Sequence, residues 1–235
     1  PCFAVPHHLC HAAYSYYTSN KEESAVLTWD GGGDFYTTNA YTSTSISYWK
    51  NKKLVWFERV GNSDMGSLWH IYSKVIFQNP FAAGKLMGLA AMGNDSLIPE
   101  FKKYAMRPVR GCLSPTYSIK NCWPDEDMPL YGTANSWKHN DAANIAYAIQ
   151  NLTIEAGVGL ANKAFEITNS NNLCISGGCA LNGYLNTEII KQTNFKDVVV
   201  PPSVHDGGLS IGAVMFTINN ILDLFWSIRF WEILL

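Results

Sequence analysis

Charged residues are scarce in this sequence, and neither sign predominates. Asp, Glu, Lys and Arg make up 15% of the 235 residues, and the formal net charge is -2. Proteins that bind nucleic acid or an anionic membrane through overall charge carry a large basic excess. The composition therefore excludes partners held by general charge attraction, and we expect neither a nucleic acid nor a membrane as a partner.

Long uninterrupted apolar runs are also absent. The segment 221–235 is rich in Leu, Ile, Phe and Trp, but Asp223, Arg229 and Glu232 interrupt it. A membrane-spanning helix needs about 20 consecutive apolar residues, so we predict no membrane span. Three interpretations of this apolar tail stay open: a core helix, a tail that has lost its partner surface, and an anchor at a membrane interface.

Paired cysteines are missing as well. The sequence has six cysteines and no C-x-x-C pair. Scattered thiols of this kind indicate a reducing compartment rather than a secreted protein held by disulfides. We therefore predict a cytoplasmic protein. The chain begins at Pro1, next to a segment with the pattern of a helix, and from this we expect further residues upstream.

The first feature that is present is a helix with two histidines on one face. Pro6 suits the first turn of a helix, and no other proline follows up to Tyr17. His7 and His11 are four positions apart, so their rings project from the same side of this helix. Two imidazoles in that arrangement can bind one cation.

Two carboxylates complete the predicted site. Asp30 ends a predicted strand, 24–29, and precedes a run of three glycines, whereas Asp206 precedes two glycines and a helix that begins near Leu209. Imidazole and carboxylate ligands together suit iron, manganese or zinc. We therefore predict a divalent metal site formed by His7, His11, Asp30 and Asp206.

Three neighbouring residues each keep two interpretations. His8 points about 100° away from the face of the other two histidines; it is either a packing residue or a catalytic base, and it is our candidate for catalysis. Cys10 is better explained as a small buried apolar residue than as a metal ligand. Lys85, in a segment of small residues, is either a solvated charge or a phosphate contact within a turn.

The remaining pattern alternates between strands and helices. We expect antiparallel strands over 35–48 and 54–60, and helices over 67–77, 96–104 and 141–168. The strand 173–176 leads into Gly177 and Gly178 and then into a helix. In that order of elements, backbone N–H groups can hold an anion.

Five motifs, taken in order, resemble one known family. They are HHLCHAAYSYY, TWDGGGD, GKLMGLAAMG, CISGGCALNGYLN and VHDGGLSIGA, and they extend from residue 7 to residue 213. In this order and at these spacings the sequence resembles the O-carbamoyltransferases of nodulation-factor and antibiotic biosynthesis. As an ordered set, the motifs are highly specific to that family.

The resemblance implies an α/β protein with a duplicated actin-like ATPase fold, related to ribonuclease H, with mixed sheets flanked by helices and an incomplete first lobe. It implies four regions. They are a remainder of the first lobe with the metal-binding helix at residues 1–95, a connector or insertion at 96–140, a second lobe at 141–220 and the atypical apolar tail at 221–235. The family's carbamoyl-adenylate-forming domain is expected to be missing from this chain.

The resemblance further implies an enzyme with a two-step reaction. Carbamoyl phosphate and ATP give carbamoyl-adenylate in the missing domain, which belongs to the same gene or to a separate chain. The carbamoyl group then passes to a hydroxyl of a small molecule, expected to be a sugar. The family's metal ligands, usually to Fe(II), match His7, His11, Asp30 and Asp206. Its adenylate pocket matches Gly31, Gly32, Gly33, Gly177, Gly178 and Asn182, and Lys85 and Gly88 lie in the matching glycine-lysine segment.

Two alternatives to this enzyme stay open. One is the related transfer of a threonylcarbamoyl group to adenosine in tRNA, which the low charged content and net acidity disfavour. The other is a truncated, non-catalytic nucleotide-binding module whose folding depends on a partner chain.

Overall fold

The computed structural model describes residues 2–33, 35–37, 40–60, 65–104, 106–109, 112–115 and 139–222. Most of the predicted connector and nearly all of the apolar tail lie outside these ranges, so the three alternatives for the tail stay predictions. Within the described ranges, no helix has both the length and the apolar content needed to cross a membrane.

Seven α-helices and nine β-strands make up the described part of the chain. The helices are α1 (His7–Thr18), α2 (Met65–Phe77), α3 (Ala83–Ala90), α4 (Ile98–Tyr104), α5 (His139–Thr168), α6 (Gly183–Gln192) and α7 (Leu209–Phe216). The strands are β1 (Glu23–Trp29), β2 (Phe35–Thr37), β3 (Ala40–Tyr41), β4 (Thr44–Lys50), β5 (Lys53–Arg59), β6 (Met106–Val109), β7 (Cys112–Pro115), β8 (Asn172–Ser176) and β9 (Asp197–Val199).

Five of these strands form one mixed sheet, in the order β5-β4-β1-β8-β9. β4 runs antiparallel to both β1 and β5, whereas β8 runs parallel to both β1 and β9. The β4–β5 turn consists of Asn51 and Lys52, whose φ angles are both positive, 50° and 62°. Turns of that kind match the twist of an antiparallel hairpin.

Helices cover both faces of this sheet. On one face, Leu27 and Trp29 of β1 belong to the same apolar cluster as Leu152 of α5. On the other face, Val26 of β1 clusters with Ala12 of α1. Because successive side chains of a strand point to opposite faces, β1 is buried on both sides, and this explains its nearly continuous apolar sequence.

The sheet contains strands from both predicted lobes. β1, from the range 1–95, pairs with β8, from the range 141–220. The predicted mixed α/β class with flanking helices is confirmed by this arrangement. The division of the chain into two lobes stays a prediction, and the shared sheet does not favour it.

Two local expectations differ from the structure. One of the two interpretations of Lys85 places it within a turn, whereas this segment is the helix α3, because its Ala, Leu and Met residues favour a helix more than its glycines oppose one. The single strand expected over 35–48 is divided into β2, β3 and β4, and the first two form a separate small sheet. A further hairpin, β6–β7, lies in a stretch where the sequence has no clear period.

The topology brings three chain segments to one edge of the sheet. Because β1 and β8 are parallel neighbours, the residues that follow them, Asp30 and Gly177, leave the sheet at the same edge. Helix α7 packs closely against α1, since a Cβ at Gly212 would lie only 1.9 Å from the Cys10 carbonyl oxygen. This close packing brings the residues just before α7 next to the start of α1.

Candidate functional site

The four predicted metal ligands meet at one point. One ligand atom from each of His7, His11, Asp30 and Asp206 lies within 4.8 Å of the others. The Nε2 atoms of the two histidines are 3.1 Å apart. An Asp30 oxygen lies 3.1 Å from Nε2 of His7 and 3.4 Å from that of His11, and an Asp206 oxygen lies 3.6 and 3.3 Å from the same nitrogens. These four residues are referred to as the ligand cluster.

Local structure positions each member of the ligand cluster. His7 is the first residue of α1, and His11 lies one turn later, where it is fully buried. Asp30 directly follows β1, and its backbone N–H donates to the Ser43 carbonyl at 2.9 Å. Asp206 begins a 3-10 turn that leads into α7. The close contact between α1 and α7 therefore determines whether Asp206 reaches the histidines.

The Asp30 carboxylate is held on both sides. One oxygen accepts a hydrogen bond from the backbone N–H of Gly178 at 3.0 Å, and the other faces the two imidazoles. Burial by itself raises the pKa of Asp30, but hydrogen bonds from His11 and His7 lower that pKa well below its ordinary value. Asp30 is therefore ionised near neutral pH and available to a cation.

The donor atoms fit a divalent metal ion. Atoms bound to one ion at about 2.0 to 2.2 Å lie roughly 3 to 3.5 Å from one another, close to the distances measured in the ligand cluster. Two imidazole lone pairs can face each other only when a cation lies between them or one nitrogen carries a proton. Two nitrogens and two carboxylate oxygens suit iron, manganese or zinc. Metal binding and the identity of the metal stay predictions.

His8 lies on a different side of α1, as its position in the helix predicts. It is 1% exposed, and its Nδ1 lies 2.9 Å from the Ser45 hydroxyl of β4. Burial lowers the pKa of His8 to about 3, so the ring is neutral near pH 7. A Cβ at Gly33 would lie 2.6 Å from this ring. These contacts favour the packing interpretation, and a catalytic role for His8 stays a prediction.

The glycines predicted to hold an anion make close contacts within the protein. Gly177 has a φ of +89°, and a Cβ there would lie 2.3 Å from the Trp29 carbonyl oxygen, so only glycine fits. The N–H of Gly178 donates to Asp30. A Cβ at Gly66, in the first turn of α2, would lie 2.5 Å from the Cα of Gly31. Close backbone contacts of this kind join β1, β8 and α2.

A cavity of about 460 Å³ opens beside the ligand cluster. This volume is typical of sites that bind small molecules. Three of the predicted adenylate-binding residues line it, and so does one member of the ligand cluster: Gly31, Gly178, Asn182 and Asp30. Four further predicted residues do not line it: Gly32, Gly33, Gly177 and Lys85. A nucleotide contact of these last four stays a prediction.

Asn182 supports the cavity wall through its side-chain amide. Its Oδ1 accepts hydrogen bonds from the Leu185 N–H at 3.1 Å, which caps α6, and from Gln150 Nε2 at 3.2 Å. Its Nδ2 donates to Gln150 Oε1 at 3.0 Å. Both amides are buried, and this reciprocal pair leaves Asn182 a single N–H for a ligand. Lys85, in contrast, is exposed on α3.

Several cavity-lining residues were missed by sequence reasoning. The indole N–H of Trp69 donates to the Thr153 hydroxyl at 2.9 Å. His70 contacts Phe81 edge to face, with 5.6 Å between the ring centroids. All four line the cavity. The sequence gives one signal for these residues, the Asn-Pro turn that precedes Phe81. The aromatic residues of α2 give no signal of a cavity, because aromatic residues along a helix are common in any apolar core.

Comparison with known proteins places the chain in one family and one fold. The family model described as the carbamoyltransferase N-terminus matches residues 1–215. The nodulation protein NolNO of Sinorhizobium fredii is 27% identical over 226 residues, which cover 92% of this chain and 31% of that protein. The chain thus spans about a third of the length of this relative.

Solved structures share the fold. Full-length HypF, in a phosphate- and nucleotide-bound form, matches with a TM-score of 0.56 at 18% identity, over 92% of this chain and 43% of that one. The activator of 2-hydroxyisocaproyl-CoA dehydratase from Clostridium difficile, with bound ADPNP, matches with a TM-score of 0.54 at 13% identity, over 89% of this chain and 65% of that one. The predicted actin-like ATPase fold is confirmed by these matches.

Proposed function

This chain belongs to the carbamoyltransferase family, in the part that forms its N-terminus, and from that premise we propose that it transfers a carbamoyl group to a hydroxyl of a small molecule. The acceptor is expected to be a sugar. The donor is carbamoyl-adenylate, formed from carbamoyl phosphate and ATP, and the transfer depends on a divalent metal, with Fe(II) as the first candidate. The observation that carries the proposal is that Asp30 belongs both to the ligand cluster and to the cavity wall.

The ligand cluster is proposed to hold the ion. A divalent ion, when bound, supplies a Lewis acid for a carbonyl or phosphate oxygen. The Gly178 N–H fixes the Asp30 carboxylate in place, so this ligand does not need to reorganise as charge develops on a substrate. The Asp206 side chain is 70% exposed, which leaves the cluster open to substrate on that side.

The cavity is proposed to hold the nucleotide part of the donor. Its volume suits a ligand of that size. Its lining includes Gly31 and Gly178, where the absence of side chains lets a ligand approach the backbone beside Asp30. The nucleotides bound to the two structures of the same fold, HypF and the dehydratase activator, also support this assignment.

In the proposed transfer step, the acceptor hydroxyl oxygen forms a bond to the carbamoyl carbon. The bond from that carbon to the phosphate oxygen of AMP breaks, AMP leaves with the electron pair, and the hydroxyl proton passes to water. The products are the carbamate ester and AMP. The chain spans about a third of its relative, so we expect the step that forms carbamoyl-adenylate to need a further domain, in the same gene or in a separate chain.

The proposal is tested by label transfer with the full-length product of the gene that encodes this chain. The protein is incubated with ATP, labelled carbamoyl phosphate and candidate sugars, and label in the sugar is expected only when a divalent ion is present. The Asp206→Asn variant is expected to lose at least about 100-fold in rate, because it removes a charged ligand of the ion that is proposed to stabilise developing charge on the substrate.

Asp95→Asn is the matched control for Asp206→Asn. Each aspartate begins a 3-10 turn, and in both turns a side chain of the preceding residue accepts a backbone N–H. Asp95 lies outside the ligand cluster, so its variant is expected to keep the wild-type rate. Absence of label transfer with every acceptor would overturn the proposed reaction, and an Asp206→Asn variant with wild-type rate would overturn the role of the ligand cluster.

A further inference from the structure

Asp206 is the member of the ligand cluster that lies on an exposed turn. His7 and His11 lie on a helix, and Asp30 directly follows a strand. The Asp206 side chain is 70% exposed, so few side chains surround it. Its distance from the two imidazoles therefore depends on how the backbone of the turn is held. The segment 203–208 is referred to as the Asp206 turn.

Tyr14 of α1 contacts both ends of the Asp206 turn. Its hydroxyl accepts a hydrogen bond from the Ser203 backbone N–H at 3.2 Å. At the other end, a Cβ at Gly208 would lie 2.9 Å from the Tyr14 ring, so the ring lies directly against this glycine. Tyr14 is 6% exposed, and close packing holds a buried ring in one position. One side chain thus holds the residues on either side of Asp206.

The two ends of the Asp206 turn lie next to each other. A Cβ at Gly208 would lie 2.4 Å from the Ser203 carbonyl oxygen, so the backbone returns close to its starting point. The Val204 carbonyl accepts a hydrogen bond from the Gly177 N–H at 2.9 Å, which joins the turn to the end of β8. This bond fixes the turn against the sheet, whereas the Tyr14 contacts fix it against α1.

The helical position of Tyr14 explains why it reaches this turn. His7, His11 and Tyr14 stand at positions i, i+4 and i+7 of α1, so their side chains project from one face. The same face therefore presents two imidazoles to the ion and a phenol to the turn that carries another ligand. Because all three side chains belong to one helix, α1 itself sets the spacing between the imidazoles and the Asp206 turn.

We propose that Tyr14 is a positioning residue for the metal site: its ring and hydroxyl hold the Asp206 turn against α1, so that the Asp206 carboxylate meets the two imidazoles. The inference rests on the proposed function, since it takes the ligand cluster as a metal site, and it adds a residue that acts through Asp206. A ligand that is already in place when the ion arrives costs less to order on binding. Loss of the hydroxyl is therefore expected to weaken ion binding.

Tyr14→Phe tests this role in the full chain, which is titrated with Mn²⁺ by calorimetry. The variant keeps the ring against Gly208 and removes only the hydroxyl that accepts the Ser203 N–H. Mn²⁺ affinity is expected to fall about three- to tenfold, as for the loss of one hydrogen bond. The thermal midpoint of the metal-free chain is expected to stay within about 4 °C of wild type.

Tyr16→Phe is the matched control. Tyr16 lies on the same helix and is 2% exposed. Its hydroxyl donates to the Glu22 carbonyl at 2.9 Å and accepts from the Lys52 N–H at 3.1 Å, so it holds the β4–β5 turn rather than the Asp206 turn. This variant is expected to keep wild-type Mn²⁺ affinity. Equal losses in the two tyrosine variants would overturn the positioning role, because affinity would then follow a general loosening of α1.

A double-mutant cycle with Asp206→Ala shows whether Tyr14 acts through this ligand. In the Asp206→Ala background the turn carries no ligand, so Tyr14→Phe is expected to change Mn²⁺ affinity by less than about twofold. A purely structural role of the hydroxyl would weaken binding equally in both backgrounds. An equal loss in the two backgrounds would therefore overturn the proposal.

The remaining outcomes separate this inference from the proposed function. Wild-type Mn²⁺ affinity in Tyr14→Phe overturns the positioning role and leaves the metal site intact. A wild-type chain that binds no Mn²⁺ overturns the ligand cluster as a metal site, and the positioning role with it.

Discussion

The ligand cluster and the cavity share Asp30, but they are built in opposite ways. In the ligand cluster, four side chains are held a few ångströms apart by a helix, a strand end and a close helix crossing. In the wall of the cavity, Gly84 leaves open space and Phe81 has most of its surface uncovered. Dense packing suits an ion, which needs ligands at fixed distances, whereas an organic ligand needs a preformed space.

This difference also determines how substitutions should act. A change within the ligand cluster or its supporting contacts removes a ligand or disturbs the packing that holds it. A change in the exposed part of the cavity wall affects only the binding of the molecule that enters the cavity. Variants in the two regions should therefore separate metal binding, folding and nucleotide binding from one another.

The largest effect is expected from His7→Ala. Loss of one imidazole should lower divalent metal affinity by at least about 100-fold. Even the loss of a residue that only hydrogen-bonds to a metal ligand typically lowers metal affinity by about 10 to 100-fold. His7 is 24% exposed, so its removal leaves only a small internal void. Metal titration by calorimetry and metal content after dialysis measure the effect.

The control for that variant is His70→Ala, in the wall of the cavity. It removes an imidazole that lies outside the ligand cluster, and it is expected to keep wild-type metal affinity. The interpretation of the ligand cluster fails if His7→Ala keeps its metal, or if both variants lose metal equally.

The next largest effect is expected from Gly212→Ala. A Cβ would lie 1.9 Å from the Cys10 carbonyl oxygen, so α7 must move away from α1, at a cost of about 3 kcal/mol in the free energy of unfolding. Denaturant unfolding measures this cost. Gly159→Ala, in α5 with no atom within 4 Å of its Cβ, should instead stabilise by up to about 1 kcal/mol. Similar results for the two would contradict the proposed close crossing.

A smaller effect is expected from Asn182→Ala. This variant removes the cap of α6 and leaves the buried Gln150 amide without its partner, for a combined cost of about 2 kcal/mol. In a double-mutant cycle with Gln150→Ala, the two costs should be non-additive by about 1 kcal/mol. Strict additivity in urea unfolding would mean that the amide pair contributes nothing.

The smallest effect is expected from Lys85→Ala. Lys85 is exposed on α3 and does not line the cavity, so the free energy of unfolding should change by less than about 0.5 kcal/mol. ADP affinity, measured by calorimetry, should stay within about twofold of wild type for the same reason. A tenfold loss of ADP binding would instead support the phosphate contact that the sequence suggests.

The ligand cluster could be predicted from sequence because its members carry local signals. The spacing of His7 and His11 determines a helix face, and Asp30 and Asp206 each stand where a strand or loop meets glycines. Their meeting point could not be derived from spacing alone, since it depends on the close packing of α7 against α1. The motif order supplied that information through the resemblance to a family.

The cavity could not be predicted in the same way. Its walls depend on contacts between residues far apart in sequence, such as Gly66 with Gly31 and Trp69 with Thr153. Such pairs leave no periodic pattern in either segment. For the same reason, the buried apolar sequence of β1 predicts a strand but does not predict that β8 is its parallel neighbour.

Asp30 links the two regions through a single carboxylate. Its oxygens are divided between the imidazoles of the ligand cluster and the backbone of Gly178, which also lines the cavity. A molecule that shifts Gly178 on entering would reorient one donor to the ion, and an ion that pulls on Asp30 would move the wall that this molecule touches. Any such coupling is reciprocal: the factor by which a nucleotide strengthens ion binding equals the factor by which the ion strengthens nucleotide binding.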